Sequence, residues 1–130
     1  MRILQPPGWA RPKGYSNGIA AKGSMVFVSG MVGWNAEEKF EAADFAAQAR
    51  QALRNIMEVL KQAEARPEHI ARMTWYVVDK KEYLAAAREV GAIYREIIGK
   101  HYPAMTVVEV SRLLEDQARV EIEVTAILPE

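Results

Sequence analysis

The sequence predicts an α+β domain in which one mixed β-sheet carries two helices on one of its faces. Three observations lead there. Two segments repeat apolar residues at helical spacing, the carboxy-terminal segment alternates as a strand does, and the elements run strand, strand, helix, strand, helix, strand, strand. A chain of 130 residues, half of them hydrophobic, is the size of one compact unit, so residues 1–130 are expected to form a single domain.

The first eighteen residues, MRILQPPGWARPKGYSNG, are broken by Pro and Gly and read as an irregular arm, too short of apolar residues for a signal peptide or membrane span. The stretch GIAAKGSMVFVSG reads as a hairpin turning at Lys22, Gly23 and Ser24. Its second half, MVFVSG, is apolar on both faces, which suits a central strand. From Asp44 to Ala65, Phe45, Ala49, Ala52, Leu53, Ile56, Leu60 and Ala63 form one apolar stripe opposite Gln48, Arg50, Arg54, Glu58 and Lys61. ARMTWYVV at 71–78 is β-branched and aromatic, as strands are. It leads into a helix that Asp79 can cap, with Glu82 three residues later as in a capping box. Tyr83, Leu84, Ala87, Val90, Tyr94 and Ile97 make that helix's stripe, and Gly99 ends it. YPAMTVVEV at 102–110 is a strand entered through proline. In ARVEIEVTAIL, Val120, Ile122, Val124, Ala126 and Leu128 face one way and Glu121, Glu123, Thr125 and Ile127 the other.

Helices on one face leave the opposite face of the sheet uncovered, with apolar residues from several strands on it. A surface of that kind predicts self-association.

Charge and composition exclude several functions. Seventeen basic residues balance seventeen acidic ones, so no long-range field draws the chain to nucleic acid or anionic membrane, and RNA cleavage is a poor fit. There is no cysteine, hence no disulfide, thiolate metal site or cysteine nucleophile, which fits a cytoplasmic protein. His69 and His101 have no second ligand at metal spacing, so no zinc site is expected.

The segments YSNGI at 15–19, FVSGM at 27–31, FAAQARQALRNIMEVLKQAEA at 45–65, YPAMTVVEV and VEIEVTAI resemble the landmarks of the YjgF/RidA (reactive intermediate deaminase) family, in the same order and over nearly the whole chain. The resemblance implies a chorismate-mutase-like fold, a homotrimer with clefts between adjacent subunits, and hydrolysis of enamines or imines such as 2-aminoacrylate to the keto acid and ammonia, with no cofactor and no metal. It implies Glu121 as the residue that positions and activates water. It also places Tyr15, Ser29, Gly30, Met31, Trp34, Gly91, Met105 and Val107 around the substrate.

The chain departs from the family pattern at the anchor. Met105 stands where the family has an arginine that grips the substrate carboxylate, Gly91 stands for a common Asn, Met31 for a Gln, and Val107 often for a Cys. Methionine donates no hydrogen bond, and an arginine fork is worth two charge-assisted ones, so the pocket expected here favours a ligand less anionic at that end, larger and more apolar. Candidate replacement cations are Arg112 and Arg119, or Arg11 and Lys13 from a neighbouring subunit. The alternative reading is a non-catalytic small-molecule binding or sensor protein using the same clefts.

Overall fold

The computed structural model describes residues 1–130. Six strands, β1 (Arg2–Leu4), β2 (Gly18–Ala20), β3 (Ser24–Val32), β4 (Ile70–Val77), β5 (Ala104–Glu109) and β6 (Val120–Leu128), combine with helices α1 (Phe45–Gln62), α2 (Lys80–Ala85) and α3 (Ala87–Ile97). The main sheet has the order β3-β6-β4-β5, antiparallel except for the parallel β4-β5 pair. The expected mixed sheet with its helices on one face is therefore present.

The sheet's inner face follows the alternation read from the last strand. Val120, Ile122, Val124 and Ala126 are buried, and their partners Val77, Trp75, Met73 and Ile70 on β4 are buried with them. Against this face lies α1, whose Ala49, Ala52, Leu53, Ile56 and Leu60 lose all contact with water. Each large side chain so buried contributes roughly 1.5–3 kcal/mol of hydrophobic free energy. Asp44 starts the helix by accepting from the Ala47 N–H at 3.1 Å. The helix ends at Gln62 rather than Ala65 because Glu64 turns into the left-handed region with φ 57°.

Several expectations are corrected. The arm is not wholly irregular, since Arg2–Leu4 pairs antiparallel with Gly18–Ala20, and this takes β2 away from the anticipated hairpin with β3. Strand β3 is an edge strand rather than a central one. Its outward residues Met25 and Phe27 are 57% and 70% exposed, so its second apolar face looks to the uncovered side of the sheet. The second helix breaks at Ala86 into α2 and α3. Asp79 caps α2 through the Lys81 N–H at 2.9 Å, but no capping box closes, because Glu82 instead receives a forked pair from Arg119 at 3.0 and 3.2 Å. Finally, Gln48 is not on the solvent side. It is buried at 1% exposure, donating to the Ala42 and Gln117 carbonyls and accepting from the Arg119 N–H, which ties the start of α1 to the loop entering β6.

Candidate functional site

The register of β5 decides where the opening segment of the anchor motif points. Met105 pairs with Met73 and Val107 with Trp75, both on the helix-covered face, whereas Thr106 and Val108 pair with Thr74 and Tyr76 on the open face. Met105 and Val107 thus form the floor of a cleft of ≈ 510 Å³ under α3, where the helix cover ends. Trp75 continues the floor, and Tyr83, Val90, Gly91 and Tyr94 supply the helical wall.

The third wall is the arm. Ser16 donates its N–H to the Pro103 carbonyl at 2.9 Å and its hydroxyl to the Tyr102 carbonyl at 2.5 Å, pinning the arm alongside the start of β5. This places Lys13, Gly14 and Tyr15 at the cleft. Aromatic contacts stiffen the walls: Tyr94 stacks on Tyr102 at 5.8 Å and donates to the His101 carbonyl at 2.7 Å, while Tyr83 meets Trp75 edge-on at 6.3 Å. Burial raises the Tyr83 phenol above its ordinary value and, with Tyr102 adding to it, pushes the Tyr94 phenol well above it, so both hydroxyls stay protonated.

Ser29, Gly30 and Glu121 lie elsewhere. Between Val28↔Val124 and Met31↔Ile122, two residues of β3, Ser29 and Gly30, oppose the single residue Glu123, a β-bulge. The bulge brings Gly30 under Glu121: a Cβ on Gly30 would lie 2.2 Å from Glu121 Oε2. Glu121 makes no side-chain hydrogen bond or ion pair, and burial, with the charge of Glu123 adding to it, raises its carboxyl above the usual carboxylate range. Glu123 differs, for it accepts from the Tyr76 hydroxyl at 2.7 Å. Ser29 lines a groove of ≈ 390 Å³ on the open face with Phe27, Arg72, Thr74 and Glu123.

The residues named from the sequence therefore separate into two groups. Tyr15, Gly91, Met105 and Val107 share the cleft under α3, and Ser29, Gly30 and Glu121 share the open face. Strand β4 stands between β6 and β5, and the two groups project from opposite faces of the sheet. Met31 pairs with Ile122 and packs against the core beside the bulge, and Trp34 lies beyond β3 against Phe40 at 5.8 Å, in neither group.

Two candidate cations are also placed. Arg119 is engaged by Glu82, and Arg112 lies in the loop between β5 and β6 near Glu109 and Glu115, away from Met105. Both histidines serve the backbone: His69 Nδ1 accepts from the Arg66 N–H, and His101 Nε2 bonds the Ile70 carbonyl.

A model of the family described as endoribonuclease L-PSP matches residues 9–128. The chain belongs to that family. A relative in Escherichia coli K12 named 2-iminobutanoate/2-iminopropanoate deaminase is 33% identical over 108 residues, which cover 81% of this chain and 80% of the relative. A Rid-family protein from Yersinia pestis has the same fold with a TM-score of 0.83 at 30% identity, covering 98% of each chain. The structure of E. coli TdcF with bound serine aligns with a TM-score of 0.71 at 30% identity over 98% of this chain and 99% of that one. The resemblance read from YSNGI, FVSGM and VEIEVTAI thus names the right family, and the YjgF-type fold comes with it.

Within this L-PSP-family chain, sequence reasoning overlooked Trp75, Tyr83, Tyr94, Tyr102 and Arg95 as cleft residues. Tyr83 and Tyr94 were legible only as a buried stripe. Arg95 carried a usable signal, since it stands one helical turn after Gly91 and so on the same face.

Proposed function

We propose that this protein hydrolyses imines or enamines at clefts formed between copies of the chain, on substrates larger and more apolar than 2-aminoacrylate. The observation that carries this reading is Glu121, a half-buried carboxylate without a partner and with raised proton affinity, held over Gly30 on a sheet face that no helix covers. A carboxylate so placed, with its proton affinity raised, is a better base toward water than an ordinary one.

The chemistry balances simply. Glu121 takes one proton from water as the oxygen bonds to the carbon of C=N and passes that proton to the nitrogen, giving a carbinolamine. The hydroxyl proton then moves by way of Glu121 to the nitrogen as the carbon–nitrogen bond breaks, leaving the carbonyl compound, ammonia and an ionised Glu121. An enamine first gains a proton on carbon to become the imine. The relative named as an iminobutanoate/iminopropanoate deaminase supports the reaction class, and the neighbour with bound serine supports a small amino-acid-like ligand.

Assembly is part of the proposal. Because Glu121 and Met105 project from opposite faces of one sheet, a ligand touching both requires the open face of one copy to meet the cleft of another. Exposed Met25 and Phe27 supply apolar surface for such contact, and a homotrimer is the arrangement proposed. Replacing the family arginine with Met105, beside Val107 and Trp75, gives the cleft floor its apolar character and with it the shift in substrate. Ammonia release by wild type and its loss in Glu121→Gln tests the reaction; undiminished release by the variant contradicts it.

One observation favours a second reading, a non-catalytic binding protein: the cleft under α3 contains no carboxylate of its own. Saturable ligand binding without ammonia release would select it. The family's endoribonuclease description suits this chain poorly, because its charges balance at seventeen each and phosphate contacts need clustered Lys and Arg.

A further inference from the structure

Met105 cannot hold a carboxylate, yet the cleft it floors is not without positive charge, because Arg95 and Lys13 line its rim. Arg95 Nη1 lies 3.6 Å from the place a Cβ on Gly91 would occupy, so the guanidinium lies back along α3 across the glycine. Long helical side chains lean in that direction, toward the preceding turn. Any side chain at 91 longer than alanine would compete with the guanidinium for this space. Arg95 forms no ion pair within the chain, whereas its neighbour Glu96 is taken up by Arg50 and Arg54.

A second, independent feature indicates an occupant. Trp75 lines the same cleft at 3% exposure, and its indole N–H has no acceptor. Buried donors in folded proteins nearly always find a partner, so an unpartnered one beside a cleft suggests an acceptor brought by a ligand.

We propose that Arg95 is the carboxylate anchor of this cleft, and that the ligand is an organic acid with a large apolar or aromatic body. The anion lies at the α3 rim, and the body lies along the floor of Met105, Val107 and Trp75. The inference rests on the reading of the cleft as the substrate site. A guanidinium fork recognises a carboxylate through paired charged hydrogen bonds, which an ammonium or a neutral amide does not reproduce. Moving the cation from the floor strand to the helix moves the anion outward, and this leaves the floor free for apolar bulk.

The test is calorimetric titration with three probes, phenylpyruvate, its uncharged methyl ester and pyruvate, against wild type, Arg95→Gln and Arg95→Lys. Arg95 is exposed on the helix surface, so the variants are expected to fold and assemble as wild type does, which gel filtration verifies. Wild type should bind phenylpyruvate at least tenfold more tightly than either other probe. Arg95→Gln should weaken phenylpyruvate by about 10–100-fold, to the level of the ester, while leaving the ester unchanged, and Arg95→Lys should fall between. Equal affinity of acid and ester, unchanged affinity in Arg95→Gln, or no saturable binding of phenylpyruvate by wild type would overturn the proposal. Binding is read without turnover, so the two readings fail separately. Arg95-dependent binding without ammonia release removes the hydrolase alone, and ammonia release with an unchanged KM in Arg95→Gln removes the anchor alone.

Discussion

The Glu121 carboxylate occupies the space that a side chain on Gly30 would need, with Oε2 2.2 Å and Cδ 2.7 Å from the position of a Gly30 Cβ. The glycine at the bulge is therefore a condition for where the carboxylate sits. Gly30→Ala should push Glu121 aside while sparing the fold, since the flexible carboxylate can move and the backbone at 30 is not in the left-handed region. Ammonia release should fall about a hundredfold, the scale expected when a catalytic group is misplaced by roughly 1 Å. Thermal melting should change little.

The raised proton affinity of Glu121 gives a pH dependence with a definite sign. A base works only when ionised, so activity should fall as pH drops through a value above the ordinary carboxylate range. For stability, a carboxyl whose folded pKa is raised favours the fold in its protonated form, and that contribution is lost as pH rises through the folded value. Glu121→Gln should therefore melt above wild type at neutral pH, with the difference closing under acidic conditions. Melting curves of the two proteins across that range check this.

Phe27, 70% exposed on edge strand β3, is the residue through which assembly should be broken most directly. Phe27→Glu places a charge on the open face without touching the core. Sedimentation should show dissociation to smaller species, and ammonia release should fall to background, because the Met105 cleft of one copy would lose the Glu121 of another. A dissociated variant with full activity would contradict a site built from two copies.

Gln48 should be the costliest polar residue to remove. Gln48 itself is buried, and Gln48→Leu leaves the partly buried Ala42 and Gln117 carbonyls and Arg119 N–H without their partner. Stability should fall by about 2–4 kcal/mol, read from urea denaturation at fixed protein concentration.

How much of this was legible in the sequence varied with the range of the interaction that decides each feature. The alternation of Val120, Ile122, Val124 and Ala126 and the stripe from Phe45 to Leu60 are local signals, and the structure keeps both. The pairing of β2 with β1 is a tertiary choice, and nothing in GIAAKGSMVFVSG shows that Arg2–Leu4 will compete for the same edge. Gln48 looked like one polar residue among Arg50, Arg54 and Glu58, because its hydrogen bonds reach residues 69 and 71 positions away. The site was legible in part for the same reason. Short motifs named Tyr15, Ser29, Gly30, Met105 and Glu121, but only strand register reveals that they divide between two faces. The aromatic walls and Arg95 depend on how α3 lies over β5, which no single segment encodes.

The most direct measurement is ammonia release from two substrates generated in place, the enamine 2-aminoacrylate with its imine tautomer and the imine of phenylpyruvate, by wild type and Met105→Arg. Wild type should turn over the aromatic imine with the higher kcat/KM. Met105→Arg, which restores a carboxylate fork to the floor, should raise kcat/KM for 2-aminoacrylate by about a hundredfold and lower it for the aromatic imine. Failure of folded, assembled wild type to release ammonia from either imine would contradict the proposed activity, and a wild-type preference for 2-aminoacrylate would contradict the apolar reading of Met105.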